Sequence, residues 1–309
     1  MKFPDAFAVP ERALLAISGT DARSLLQNVI TGGMTKLTKP GEAIHSGLLT
    51  PQGKILFAFF VVQIDEGFLI DVDAPSATGL KTRLQMYKLR SDVAVEDGQT
   101  DWTVGIALPA GSEVAPTDGA TDSDRDLFGV TDPRSAALGH RIYTRDASVL
   151  KQPDTAQLDV AINNQIVEAI PEFGRDYETA TTFPHEANWD REGSVDFKKG
   201  CYIGQEVVSR MHHKAVVRKR FVTLRSAHDP DEQFTVGSPI TAGRAKLGQV
   251  TSVSAAGDIA LGLIRLDRAV EALDGGDVIH AGEAPVVIAT ETLNAYREAA
   301  SEKQAANLA

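Results

Sequence analysis

The chain has 309 residues, 43% of them hydrophobic, and carries a net charge of −11 with a single cysteine. That length and apolar content support a sizeable core without staples, and one thiol excludes an internal disulfide framework. The acidic balance argues against a general nucleic-acid coat or a binder of anionic membranes, because phosphate surfaces repel such a chain outside a local basic patch. Met1-Lys2-Phe3-Pro4-Asp5 has no apolar signal core, and no stretch reaches the roughly 18 apolar residues of a spanning helix. These features predict a cytoplasmic protein with no membrane partner.

Ser18-Gly19-Thr20-Asp21 offers capping side chains, and Ala22, Leu25, Leu26, Val29 and Ile30 follow at helical spacing, which predicts an amphipathic helix stopped by Thr31-Gly32-Gly33. The apolar runs 44–49, 55–62 and 68–72 are separated by Thr50-Pro51-Gln52-Gly53 and Asp65-Glu66-Gly67 and read as an antiparallel meander. A second helix is predicted from Ser76, with Leu80, Leu84 and Tyr87 on one face, followed by strand-like alternation through Val93, Val95, Trp102, Val104 and Ile106. Residues 111–126 are polar and aperiodic and are expected to form a surface loop.

A further helix is predicted from about Thr155 to Val167, ahead of the turn-rich Ile170-Pro171-Glu172-Phe173-Gly174. Beyond Arg220, short apolar runs punctuated by Gly237, Gly243, Gly248, Gly257 and Gly262 suit a small β-barrel, so a boundary is placed near 221, giving domains 1–220 and 221–309. The last stretch, from Glu291, reads as a terminal helix.

Gly47-Leu48-Leu49-Thr50-Pro51-Gln52-Gly53-Lys54 has five residues between its glycines and Ile55 where a Mg²⁺-binding hydroxyl belongs, so a hairpin turn explains it better than a phosphate loop. The strongest local signal is Lys198-Lys199-Gly200-Cys201-Tyr202-Ile203-Gly204-Gln205-Glu206, a loop feeding a short helix. Its lysines and a helix N-terminus after Gly204 would favour a thiolate at Cys201. A small buried apolar cysteine is the competing reading. From Lys198 to Arg220 seven Lys or Arg face one Glu, which suits either an anion site or a solvated helix face. Glu168, set between Val167 and Ala169, needs a partner: the edge of a pterin, or a salt bridge to Arg175.

The run Lys199-Gly200-Cys201-Tyr202-Ile203-Gly204-Gln205-Glu206, with Arg210 four residues on, resembles the signature of the YgfZ family. Leu48–Lys54, Tyr87-Lys88-Leu89-Arg90, Asp132-Pro133-Arg134 and Pro184-His185-Glu186-Ala187-Asn188 agree with the same family in order along the chain. The resemblance implies an α+β, T-protein-like (GcvT-like) fold of two α+β lobes and a C-terminal small β-barrel around a central opening. It also implies that tetrahydrofolate or a one-carbon derivative is bound by Glu168, Glu186, Lys199 and Arg210. The implied role is accessory to assembly or repair of [4Fe–4S] clusters, with iron–sulfur assembly factors or client enzymes as partners, among them radical enzymes that modify tRNA. Direct nucleic-acid binding is not expected. Cys201 is then the candidate reactive thiol. In the related T-protein the catalytic aspartate follows an Asn-Ala pair. The corresponding stretch here has no acid after Asp73, which leaves Asp71, Asp73 or Asp92 as replacements if the chain is instead a folate-dependent aminomethyltransferase or demethylase.

Overall fold

The computed structural model describes residues 3, 5–98, 101–109, 126–214, 216–228 and 232–308. The loop expected over 111–126 lies, but for Asp126, outside them. The chain divides into two compact units that interleave along the sequence: Met1–Leu158 with Asp190–Gln205, and Asp159–Trp189 with Glu206–Ala309.

The first unit opens with β1 (Phe7–Ala8), β2 (Arg12–Ser18) and helix α1 (Ala22–Val29). The predicted meander follows as β3 (Ala43–Leu49), β4 (Ile55–Ile64) and β5 (Gly67–Asp73). Asp73 then caps helix α2 (Ala74–Lys88), its carboxylate accepting the Ser76 N–H, with Pro75 in the first turn where a missing N–H costs nothing. The unit continues through β6 (Ala94–Asp97), β7 (Thr103–Ala107), β8 (Leu127–Thr131) and β9 (His140–Thr144). Among the described residues these strands form a five-stranded sheet, β3-β4-β5-β2-β6, and a four-stranded sheet, β1-β7-β9-β8. The faces of β2, β4 and β5 that carry Leu15, Ile17, Phe59, Val61, Ile70 and Val72 pack against Leu25, Leu26, Leu80 and Leu84 of the two helices. The opposite faces, with Leu14, Val62 and Leu69, meet Val104, Phe128, Val130 and Tyr143 of the second sheet. Period-two alternation thus supplies one strand layer with two cores.

Helix α3 (Thr155–Val167) covers the span its sequence predicts, and α4 (Trp189–Glu192) and α5 (Gln205–Lys214) flank the cysteine loop. In the second unit β10 (Lys219–Ser226), β11 (Pro239–Ala242), β12 (Ala245–Val253), β13 (Ile259–Arg265), β14 (Ile279–Ala281) and β15 (Ala284–Ile288) close a barrel in the order β10-β13-β12-β11-β14-β15. Gly248 lets β12 lie close on β13: a Cβ there would sit 1.9 Å from the Leu263 carbonyl oxygen. Helix α6 (Leu266–Asp274) seats Leu266, Ala269, Val270 and Ala272 against the barrel core, and α7 (Thr290–Leu308) follows.

Candidate functional site

The cysteine loop is held at points on both sides of its thiol. Two residues before Cys201, the Lys199 ammonium donates to the carbonyls of Ile30 (2.7 Å) and Gly32 (2.9 Å). Ile30 is the residue that ends α1, so this cation sits where the helix leaves carbonyls unpaired and its dipole is negative. Upstream, the Asp196 N–H donates to the Thr31 carbonyl at 3.0 Å, fixing the loop to the same segment. After the thiol, Tyr202 is buried with its ring 5.4 Å from the Lys199 ammonium, and Ile203 packs on the core of the first unit. Gly204 then takes φ +80°, and a Cβ there would lie 2.6 Å from the Thr50 carbonyl oxygen in the β3–β4 turn. That close approach explains a glycine at this position and why the turn glycine Gly53 faces it. Between these anchors Cys201 is exposed, so the reading of a buried apolar cysteine fails.

Burial draws the Lys199 ammonium down to about 8, with Asp196 opposing, and pushes the Tyr202 phenol up to about 12. Lys199 points into the α1 end, so its geometry is that of a loop anchor. Arg210 pairs with Glu206 one turn away at 2.7 Å, both exposed, an arrangement that contributes a few tenths of a kcal/mol at most. Arg220 is buried and donates to the Asn188 side-chain oxygen at 2.8 Å. The basic run from Lys198 to Arg220 is therefore not one solvated cationic face.

In the second unit Glu168 follows the last turn of α3, its N–H donating to Asn164. The reversal through Ala169 (φ +53°) turns Ile166 and Ile170 inward and leaves Glu168 exposed, although its sequence neighbours are apolar. The proposed partner Arg175 binds Asp176 and Gln165. Glu186 accepts the Phe183 N–H at 2.9 Å, and Asn188 donates to the carbonyls of Ala169 and Phe221, so the stretch 184–188 ties α3 to β10.

The three acids weighed for aminomethyl transfer are all engaged in the fold. Asp71 is fully buried: Arg12 donates to one oxygen at 2.7 Å, and Arg141 (2.6 Å) and Tyr143 (2.9 Å) to the other. Burial pushes its carboxyl up, but the two guanidiniums outweigh it and hold it below the usual range. Asp92 accepts from Thr20 on the surface. Asp73 caps α2 through one oxygen, and its other oxygen is buried without a hydrogen-bond partner. Composition and spacing carried no sign of the Asp71 network, since Arg12 and Arg141 lie 59 and 70 residues away.

The fold defines the class first. The crystal structure of glycine cleavage system aminomethyltransferase T from Bartonella henselae superposes with a TM-score of 0.66 at 15% identity, covering 92% of this chain and 84% of that one, a likeness of fold alone. Residues 218–292 match the family described as CAF17, C-terminal beta-barrel domain, which coincides with the closed barrel. A mitochondrial iron–sulfur cluster assembly factor IBA57 homolog of Pyricularia oryzae is 32% identical over 291 residues, covering 84% of this chain and 71% of that protein. A homolog of the same name from Mycosarcoma maydis is 32% identical, covering 73% of this chain, and the match spans 60% of that protein's length. The chain belongs to the family of IBA57 iron–sulfur cluster assembly factors. The cytoplasmic expectation is corrected by these names, since the relatives are mitochondrial proteins.

Proposed function

We propose that this chain assists the assembly or repair of iron–sulfur clusters, with Cys201 as the side chain that contacts the cluster or the sulfur in transit. The observation that carries this reading is the exposure of the thiol between anchors at Lys199, Tyr202 and Gly204. A four-iron cluster normally takes four thiolates, so Cys201 supplies one ligand and an assembly factor or client enzyme supplies the rest. The finer reading, a YgfZ-type factor whose clients include radical enzymes that modify tRNA, rests on the run from Lys199 to Glu206.

Tetrahydrofolate, or a one-carbon derivative of it, is the ligand we propose alongside this role. The four side chains first considered do not all fit it: Lys199 and Glu186 are engaged with backbone groups. Glu168 offers an exposed carboxylate with the acceptor pair a pterin edge needs, and Arg210, paired with Glu206 in solvent, is the cation that a glutamate tail would take from it.

The test is reactivation of a [4Fe–4S] enzyme in a reconstituted assembly mixture, with calorimetric titration of tetrahydrofolate beside it. Cys201→Ser is expected to reduce reactivation at least tenfold and to leave the thermal midpoint and folate binding unchanged, while Glu168→Ala loses folate binding. Full reactivation by Cys201→Ser would sink the role of the thiol. Wild-type protein that takes up no tetrahydrofolate would remove the ligand and leave the cluster reading standing.

A further inference from the structure

Helix α2 buries Leu80 and Leu84 and turns Arg83 and Met86 outward, three positions apart on the face away from the core, and Arg90 is exposed in the turn that follows. Met86 is 59% exposed and Leu89, just past the helix, is 85% exposed. Leu89 also holds a backbone conformation, φ 46° and ψ −105°, that side chains avoid. It occupies the first central position of a tight turn closed by the Ser91 N–H on the Lys88 carbonyl at 2.7 Å, where these angles call for glycine. The Lys88 ammonium, donating to the Val93 carbonyl at 2.7 Å, braces the same turn. A leucine here gains neither burial nor an easy backbone within the folded chain, and such outliers mark sites with a use outside it.

The charges of the segment itself are one-sided. Between Ala74 and Lys88 there is no acidic residue, while Lys81, Arg83, Lys88 and then Arg90 are basic, in a chain of −11. Lys81 pairs with Asp97, but Arg83 and Arg90 make no ion pair or hydrogen bond with any other described residue. Asp21 and Asp92 lie beside the turn and accept from the Asp92 N–H and from Thr20, and neither pairs with Arg83 or Arg90. A projecting leucine and methionine flanked by Arg83 and Arg90 has an apolar centre and a charged edge, the arrangement of a protein-binding anchor. Anionic membrane and RNA suit it less well, since the rest of the chain repels both and two side chains are too little to insert.

We propose that the end of α2 is a docking surface for an acidic protein with an apolar pocket that receives Leu89, steered by Arg83 and Arg90. This stands apart from the role of Cys201. The full chain carrying p-benzoylphenylalanine in place of Leu89 is irradiated in cells, with Val236, an exposed residue of the other unit, replaced in the same way as control. The adduct is identified by mass spectrometry, and binding of the identified protein is measured by calorimetry. A single acidic protein is expected at position 89 and not at 236. Leu89→Gly is expected to weaken its binding tenfold or more while the thermal midpoint stays level or rises. Arg83→Glu with Arg90→Glu weakens it similarly, and a Glu→Lys change in the partner's cross-linked patch restores it. The proposal is overturned by adducts only to this chain, to lipid or to RNA, by equal cross-linking at both positions, or by unchanged affinity in Leu89→Gly.

Discussion

Lys199 shows how one side chain can serve a motif without touching the chemistry. Its ammonium closes two carbonyls at the end of α1 and so sets where Cys201 sits. Because burial lowers it to about 8, whereas a lysine of the unfolded chain titrates near ~10.4, the unfolded state binds more protons between those values. Stability contributed at this position therefore rises with pH across that window. Lys199→Met should cost about 1–3 kcal/mol by leaving the Ile30 and Gly32 carbonyls without a donor. Urea denaturation is expected to show the gap between wild type and variant widening from pH 7.5 to 9.5, and a gap independent of pH would count against the buried ammonium. The run around Cys201 was legible in the sequence because it is contiguous. Its anchoring was not, since Ile30 lies 169 residues from Lys199.

The sheets of the first unit are joined by a polar knot rather than by apolar contacts alone. Asp71 on β5 binds Arg12 on β2 of its own sheet and Arg141 on β9 of the other. Asp132 draws Arg134 and Arg141 together, and the guanidinium of Arg141 lies 3.9 Å from the centre of the Phe60 ring on β4, with those of Arg134 and Arg12 at 4.9 and 5.7 Å. Asp71→Asn should cost about 3–5 kcal/mol, because it leaves buried guanidiniums without their countercharge. The depressed carboxyl of Asp71 makes the sign of its pH dependence definite. Its contribution is complete above the unfolded value near ~3.9 and is lost as pH falls below it. Acid titration of wild type against Asp71→Asn, followed by circular dichroism, should show the two curves converging at low pH. Parallel curves would speak against the ion pair. The strands themselves were readable from alternation, but alternation says only which face is inward and not that a charged pair is set among the apolar residues.

The barrel does not begin its stabilising contacts at its first strand. Asp176 accepts from Thr251 and Ser252 on β12, the Ile166 carbonyl from Thr223 on β10, and Asn188 bonds both Phe221 and Arg220. All these groups belong to the unit formed by Asp159–Trp189 and Glu206–Ala309. A fragment of 221–309 should therefore be less stable than one of 159–309, by roughly 4 kcal/mol if each of the four hydrogen bonds these groups make to residues 221–309 is worth about 1. Equal urea midpoints would mean the barrel stands without residues 159–220.

The amphipathic helix over 22–29, the helix over 155–167, the meander, the barrel strands after 220 and the run around Cys201 all follow from the order of residues, because helix and strand periods depend on neighbours two to four positions apart. The exposure of Glu168, the strain at Leu89, the burial of Asp71 and the interleaving of the two units do not. Each depends on which distant segments close around a residue, and that is set by packing across tens to hundreds of positions, where no local period reaches.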